Sequence, residues 1–290
     1  MVSSVVVGGV NRHAGGVNSI SRLSAAQTYD TIGVGYLRRR QTDPRWMAAI
    51  EAALGDARTV LNVGAGTGSY EPRDRLVMAI EPSGEMIRQR DPDAAPVICA
   101  GAERLPAADD EYDAAMAVQT VHHWADWRRG LAELRRVSRR QVVLCYDTRL
   151  HADFWLASEY IPEIAELELA RPSARDIAGE LGAERVIPLL VPWDFTDGVY
   201  PAYWRRPEMY LDPVVRQTCS ALAQSPPDAV ARGLDRLRAD LESGRWHHRH
   251  RKLLQRSEFD AGFRLVIAGD QPVPIAGRGE CSGRNPVVRN

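Results

Sequence analysis

The sequence predicts an α/β fold: a doubly wound sheet of about seven mostly parallel strands, with a helical cap inserted late in the chain. Three observations carry that prediction. Short apolar runs alternate with helical patterns between Thr59 and Tyr146. Several of those runs lack polar alternation, as strands covered on both faces do. The stretch "TVLNVGAGTGSYEP" (59–72) sets Gly64, Gly66 and Gly68 directly behind the first run, where bare backbone can turn sharply and bring its N–H groups close to a ligand.

The opening, "MVSSVVVGGVNRHAGG", has a short apolar patch without a basic flank, so residues 1–24 read as a flexible arm, not a signal peptide. Residues 25–58 read as N-terminal helices lying over the ligand site. The strands then follow as "TVLNV" (59–63), "LVMAI" (76–80), "PVICA" (96–100), "YDAAMAV" (112–118) and "QVVLCY" (141–146). The link from Gly68 to the second strand is short, leaving room for a helix of only a turn or two. Between the fourth and fifth strands, Trp127, Leu131, Leu134 and Val137 recur at helical spacing behind a candidate N-cap, Asp126. "PSARDIAGELG" reads as a helix capped by Ser173, with Asp176 in its first turn and Gly182 just past its end. "ERVIPLLVP" (184–192) and "FRLVIAG" (263–269) complete the strands. The stretch between them is too long for a simple connection. Residues 193–255, rich in Trp, Tyr, Pro and Arg, therefore read as an inserted substrate cap, the core as 59–192 with 256–270, and 271–290 as a loose tail.

Composition excludes several functions. Hydrophobic residues make up 44% and charged residues 26% of 290, as in ordinary globular proteins. The net charge of −1 gives no field to recruit nucleic acid or an anionic membrane, and no basic stripe carries interleaved aromatics. No apolar run is long enough to span a bilayer. Cys99, Cys145, Cys219 and Cys281 are scattered, without a C-x-x-C pair, which suits reduced thiols in a cytoplasmic protein. "WHHRH" (246–250) fits a basic helix end; no cysteine or acid completes a ligand set, so no metal is expected.

The glycine pattern is G-x-G-x-G, with Ser69 following, and not the G-x-G-x-x-G of nicotinamide enzymes. Glu81 stands at the end of the next strand, where a carboxylate can accept both hydroxyls of a ribose. Together they point to a ligand carrying a nucleoside. A nicotinamide oxidoreductase stays an alternative, with the missing third glycine against it.

In this order and spacing, "VLNVGAGTGSYEP", "AIEPSGEMI", "GAERLPAADDEYDAAMA" and "VQTVHHWAD" resemble the class I S-adenosylmethionine-dependent methyltransferases of the type-11 family, over the segment from Tyr29 to Asp147. The resemblance implies a Rossmann-like sheet, S-adenosyl-L-methionine as cofactor and a methyl acceptor as partner. It also implies roles. Gly64, Ala65, Gly66 and Gly68 would line the methionine and ribose portion, Glu81 would take the ribose hydroxyls, and Pro82, Ser83 and Met86 would flank the adenine. Ala102 and Glu103 would sit beside the base, and Gln119 under the methionine end. This chain departs from the family pattern twice: Asn62 stands where a carboxylate usually ends the first strand, and Gly101 where an Asp often holds the adenine amino group. In the N-terminal arm, Arg40 would meet the methionine carboxylate through its planar fork, with Tyr29 and Tyr36 closing the site; the other reading of that arm is an amphipathic helix with a solvated basic face.

Methyl transfer is an in-line displacement, so the protein must align the acceptor and, for oxygen or nitrogen, take a proton or rely on proximity alone. His122 and His123, just past the fourth strand, are the candidate general bases; the alternative is that they pack at the pocket wall. Trp193, Tyr203, Trp204, Arg205 and Tyr210 are candidates to line the acceptor pocket, or else form the core of the cap. The expectation is a methyltransferase for a small-molecule or peptide acceptor in specialised metabolism. The alternative is the same fold holding the cofactor without methyl transfer. The sequence assigns no oligomeric state.

Overall fold

The computed structural model describes residues 40–269. Helix α1 (Pro44–Leu54) starts at Asp43, whose side chain accepts from Arg45 N, and a proline fills its first turn, where no N–H is needed. It buries Trp46, Ile50, Ala53 and Leu54. Strand β1 (Thr59–Val63) leads into the glycine loop. Strand β2 (Leu76–Ile80) follows through turns and bends with no helix between, so the expected short helix is absent: residues 69–75 are used up in returning the chain to the sheet's other end.

Helix α2 (Gly84–Arg88), β3 (Val97–Ile98) and β4 (Tyr112–Val118) come next. Only Val97 and Ile98 of the run 96–100 pair, against Ala79 and Ile80. Helix α3 (Trp127–Val137) begins at Asp126, which accepts from Arg129 N, and buries Leu131, Leu134 and Val137. Strand β5 (Ser138–Tyr146) starts three residues earlier than the apolar run "QVVLCY" suggests. After it come α4 (Thr148–Ala152), a π-helical turn (Leu156–Tyr160), α5 (Pro162–Leu169) and α6 (Ala174–Leu181). Ser173 and Asp176 close a capping box on α6, and Gly182 ends it in the left-handed region at φ 61°.

The sheet order is β3-β2-β1-β4-β5-β9-β6, where β6 is Arg185–Pro188 and β9 is Phe263–Gly269. All neighbours are parallel except β9, which runs antiparallel to both β5 and β6. Val60, Met116, Val142 and Leu144 face one packed layer; Leu61, Val63, Ala115 and Val143 face the other. Both faces are covered, which is why these strands read as unbroken apolar runs. Between β1 and β4 the order reverses, opening a crevice at the strands' carboxyl ends.

The run 184–192 does not form one strand. Past Pro188 the chain leaves the sheet, and β7 (Val191–Pro192) pairs antiparallel with β8 (Glu258–Phe259). That pair clamps the base of residues 193–255. Their elements include a 3₁₀ turn (Pro207–Leu211), α7 (Pro213–Thr218), α8 (Ser220–Ala223), α9 (Pro227–Glu242) and α10 (Arg245–Arg249). They pack on the segment after β5. Trp155 Nε1 donates to Trp204 O at 3.0 Å, and the Trp155 ring meets Tyr210 and Trp246 edge-on. Gly233 permits the close crossing of α9 over the π turn, because a Cβ there would lie 2.6 Å from Tyr160 O.

Candidate functional site

The crevice at the carboxyl ends of β1, β2 and β4 holds a cavity of about 300 Å³, within the range typical of small-ligand sites. Its floor is the glycine loop. Gly64, Gly66 and Gly68 all have positive φ (70°, 54° and 94°). At Gly64 the need is absolute, since a Cβ would sit 2.1 Å from Thr120 Oγ1. Gly64 N and Ala65 N both donate to Ile80 O, pinning the loop to the end of β2 (2.8 and 3.0 Å).

Glu81 is 5% exposed. Its Oε2 accepts from Gly66 N and its Oε1 from Ser83 N, each at 2.8 Å. The carboxylate thus ties the loop to the strand beside it. Asn62, buried at the end of β1, donates from Nδ2 to Glu71 Oε1 at 3.1 Å. Its Oδ1 has no hydrogen-bond partner and its side chain lines the cavity. Glu71 is itself held by Arg90 Nη2 at 2.7 and 2.9 Å. The carboxylate that Asn62 lacks is therefore one layer back and neutralised.

Pro82, Met86, Gly101, Ala102, Glu103 and Gln119 also line the cavity. Glu103 Oε1 accepts from Ala125 N at 3.0 Å and so also fixes the chain entering α3. Gly68 and Ser83 do not line it. Gly68 faces Glu71, Ala94 and Arg90, and Ser83 is the fully buried N-cap of α2. Tyr29 and Tyr36 lie outside the described residues. Sequence reasoning passed over Tyr70, Thr120 and Trp124, which also form walls. Tyr70 and Gln119 are non-glycine residues in the left-handed region, at φ 62° and 54°. A glycine neighbourhood draws attention away from such positions.

Arg40 borders the cavity, and its fork is occupied by Asp197 from the inserted segment: both Nε and Nη2 donate to its carboxylate, Nη2 at 3.2 Å. The Tyr70 hydroxyl donates to the same carboxylate at 3.2 Å. Burial and the nearby Asp197 charge push the Tyr70 phenol up, so it stays protonated.

Arg40 and Gln119 separate this cavity from a second, smaller chamber of about 30 Å³. His123 lines the first and His122 the second, with ring centroids 3.9 Å apart. Burial, followed by the charge of Arg171, lowers His123 to about 3. Burial and its neighbour His123 lower His122 well below its ordinary value. Both imidazoles are therefore neutral near pH 7. The second chamber is also walled by Tyr146, His151, Glu168, Arg171 and Tyr200. Burial raises Glu168, but the charge of Arg171 and the neighbouring His151 and Tyr146 outweigh it and hold the carboxyl at about 2.

The aromatics expected at an acceptor pocket are elsewhere. Trp204 and Tyr210 are fully buried and Tyr203 nearly so, all within the hydrophobic core. Trp204 Nε1 donates to Val191 O, and Tyr210 OH to Tyr200 O. Trp193 is half exposed beneath Arg205, whose guanidinium lies 5.7 Å from its ring. None of the five lines either cavity. The inserted segment reaches the second chamber instead through Val199, Tyr200 and Ser220. Among the described residues, no cluster of His, Cys, Asp and Glu could hold a metal ion, and no helix is long and apolar enough to cross a membrane.

Residues 61–146 match the type-11 methyltransferase domain family. The chain is similar to a solved structure from Anabaena variabilis described as a methyltransferase from an antibiotic biosynthesis pathway: 30% identity, 79% of this chain and 98% of that one covered, TM-score 0.73. It is also similar to an S-adenosylmethionine-dependent methyltransferase of Thermotoga maritima, at 22% identity over 55% of this chain and 82% of that one, TM-score 0.45. No curated protein matches the chain.

Proposed function

Because the chain belongs to the class I S-adenosylmethionine-dependent methyltransferases of the type-11 family, we propose that it carries a methyl group from S-adenosyl-L-methionine to a small-molecule or peptide acceptor, in the cytoplasm and within specialised metabolism. The observation that most supports the cofactor is the orphaned Oδ1 of Asn62 at the wall of the cavity. A buried acceptor without a donor is costly, and the cofactor's ammonium supplies one. Glu81, positioned by two backbone N–H groups, lines the cavity with a carboxylate suited to accept from the ribose hydroxyls. Met86 and Ala102, both buried, offer apolar walls to the adenine. The bound cofactor supplies a methyl group already activated on a sulfonium. The chain's own task is to orient the acceptor, exclude water and take up a proton. Burial leaves His122 and His123 neutral near pH 7 but also lowers their affinity for a proton, which favours packing at the pocket wall over the role of general base. The antibiotic pathway of the Anabaena relative supports a role in specialised metabolism.

Calorimetric titration tests this reading. The expected result is uptake of S-adenosyl-L-methionine and S-adenosylhomocysteine, no uptake of a nicotinamide dinucleotide, and loss of uptake in Glu81→Ala. Absence of uptake of either adenosyl compound by the wild-type chain would overturn it.

A further inference from the structure

Three buried polar atoms around the second chamber are unaccounted for by the cofactor. His151 Nε2, Glu168 Oε2 and Tyr200 OH have no hydrogen-bond partner, and their residues are 3%, 1% and 6% exposed. Gln119 Nε2, on the wall shared with the cofactor cavity, is unpartnered as well. Native interiors seldom leave one such atom unpaired; Glu168 Oε2 faces His151 Nδ1, and the other three around one small space point to a missing group. We propose, resting on the methyltransferase reading, that this chamber receives the hydroxyl group of the methyl acceptor, and that His151, positioned by Glu168, takes that hydroxyl's proton.

The positioning is built in layers. Arg171 Nη1 donates to Glu168 Oε1 at 2.8 Å and to the Tyr146 hydroxyl at 3.1 Å, which fixes the carboxylate. Glu168 Oε2 then lies 3.8 Å from His151 Nδ1. The His151 ring is stacked on Tyr146, centroids 3.9 Å apart and nearly parallel at 2°. A carboxylate facing Nδ1 favours the tautomer with hydrogen on that nitrogen and leaves a bare lone pair on Nε2.

The chamber selects among acceptors by charge and by hydrogen-bond count. The charges around it are balanced in ion pairs, Arg40 with Asp197 and Arg171 with Glu168, so a neutral group suits it better than an ammonium or a carboxylate. A hydroxyl is neutral, donates once and accepts twice. His151 Nε2 matches the donation, and Tyr200 OH and Gln119 Nε2 can match the two acceptances. At about 30 Å³ the space admits only the reacting end of a molecule. In the transfer, a lone pair of the acceptor oxygen forms the new O–C bond. The S–C bond breaks with its electron pair remaining on sulfur, and the hydroxyl proton passes to Nε2. Glu168 offsets the charge gained by the imidazole.

Nitrogen NMR of ring-labelled histidine tests the proposal without knowledge of the natural acceptor. The protein is loaded with S-adenosylhomocysteine, and the His151 signals are identified by their loss in His151→Gln. The expected wild-type result is a protonated Nδ1 and a bare Nε2; phenol moves the Nε2 signal, and benzylamine does not. In Glu168→Gln the tautomer preference is lost, which a merely structural carboxylate would not cause. With any hydroxyl compound that accepts label from the cofactor, His151→Gln lowers transfer by roughly 10²–10⁴-fold. A hydrogen on Nε2 in the wild type, a response to benzylamine and not phenol, or unchanged transfer in His151→Gln overturns the proposal. Failure to take up S-adenosylhomocysteine in calorimetry overturns the methyltransferase reading instead.

Discussion

Asp197→Ala separates the part of the cofactor site that is built in advance from the part left for the ligand to complete. Asp197 is 1% exposed and accepts from Arg40, which is 12% exposed, and from the Tyr70 hydroxyl. Its removal leaves a nearly buried guanidinium without this carboxylate and a buried phenol without its acceptor. Breaking a buried pair by deleting one partner costs about 3–5 kcal/mol. Here the lower end applies, because Arg40 keeps some contact with solvent. About 3 kcal/mol corresponds to a drop in Tm of roughly 6–12 °C for a chain of this size. The substitution also releases the Arg40 fork towards the cavity it borders. A ligand carboxylate can then take the place of Asp197 and recover part of the loss. Thermal denaturation with and without S-adenosylhomocysteine reads both effects. The variant is expected to melt lower when free and to gain more from the ligand than the wild type does. An equal ligand-induced shift in both proteins would refute the argument, since Arg40 would then have no part in holding the ligand.

Gly64→Ala drives a Cβ to 2.1 Å from Thr120 Oγ1 at a φ of 70°, and should abolish cofactor uptake in calorimetry with a loss of about 2 kcal/mol or more in denaturant unfolding. The pH dependence follows from two groups. Glu168 falls from 4.5 to about 2 on folding, so it contributes about 3 kcal/mol that is fully present above pH ~4.5 and lost as pH falls towards 2. Denaturant titrations should show Glu168→Gln flattening that limb. His123, lowered from 6.5 to about 3, binds its proton only in the unfolded chain over that interval; stability therefore falls as pH drops below 6.5, and His123→Asn should remove that share of the slope. Asn62→Asp alone should weaken the fold without tightening cofactor binding, because the new carboxylate would face Glu71 at the 3.1 Å now spanned by an amide bond. Paired with Glu71→Gln it should bind the ammonium more tightly in the same calorimetric assay.

What was legible in the sequence is local. The cap of α6 could be read because Ser173, Asp176 and Gly182 act within one or two helical turns. The glycine loop and Glu81 could be read because a strand end, a turn and the next strand end are close in the chain as well as in space. The second chamber could not be read in this way. Its His151, Glu168 and Arg171 follow β5, while Tyr200 comes from the inserted segment and Phe263 from β9. The Glu168–Arg171 pair, three residues apart at a helix end, has the pattern of a solvated surface pair, yet the fold buries it, with Tyr146 and Gln224 both bonded to Arg171. The aromatics of "YPAYWRRPEMY" illustrate the opposite difficulty. Core and pocket both concentrate Tyr and Trp, so composition cannot tell a ring that covers a ligand from one that covers the sheet. Burial decided for the second at Tyr203, Trp204 and Tyr210.

Tyr70 and Gln119 reveal what the site keeps at some cost. Both hold left-handed backbone that a glycine would adopt freely, at a cost of about 1–2 kcal/mol each for a larger residue. Each is over-determined by its surroundings. Gln119 N donates to Leu144 O at 2.9 Å, and Tyr70 is tied through its N–H to Thr42 and through its hydroxyl to Asp197. The strain persists because the side chains are needed where it puts them. The Tyr70 phenol joins the glycine loop to the inserted segment, and the Gln119 amide stands between the cofactor cavity and the chamber beyond. Glycine at either position would relax the backbone and remove the group that connects one half of the site to the other.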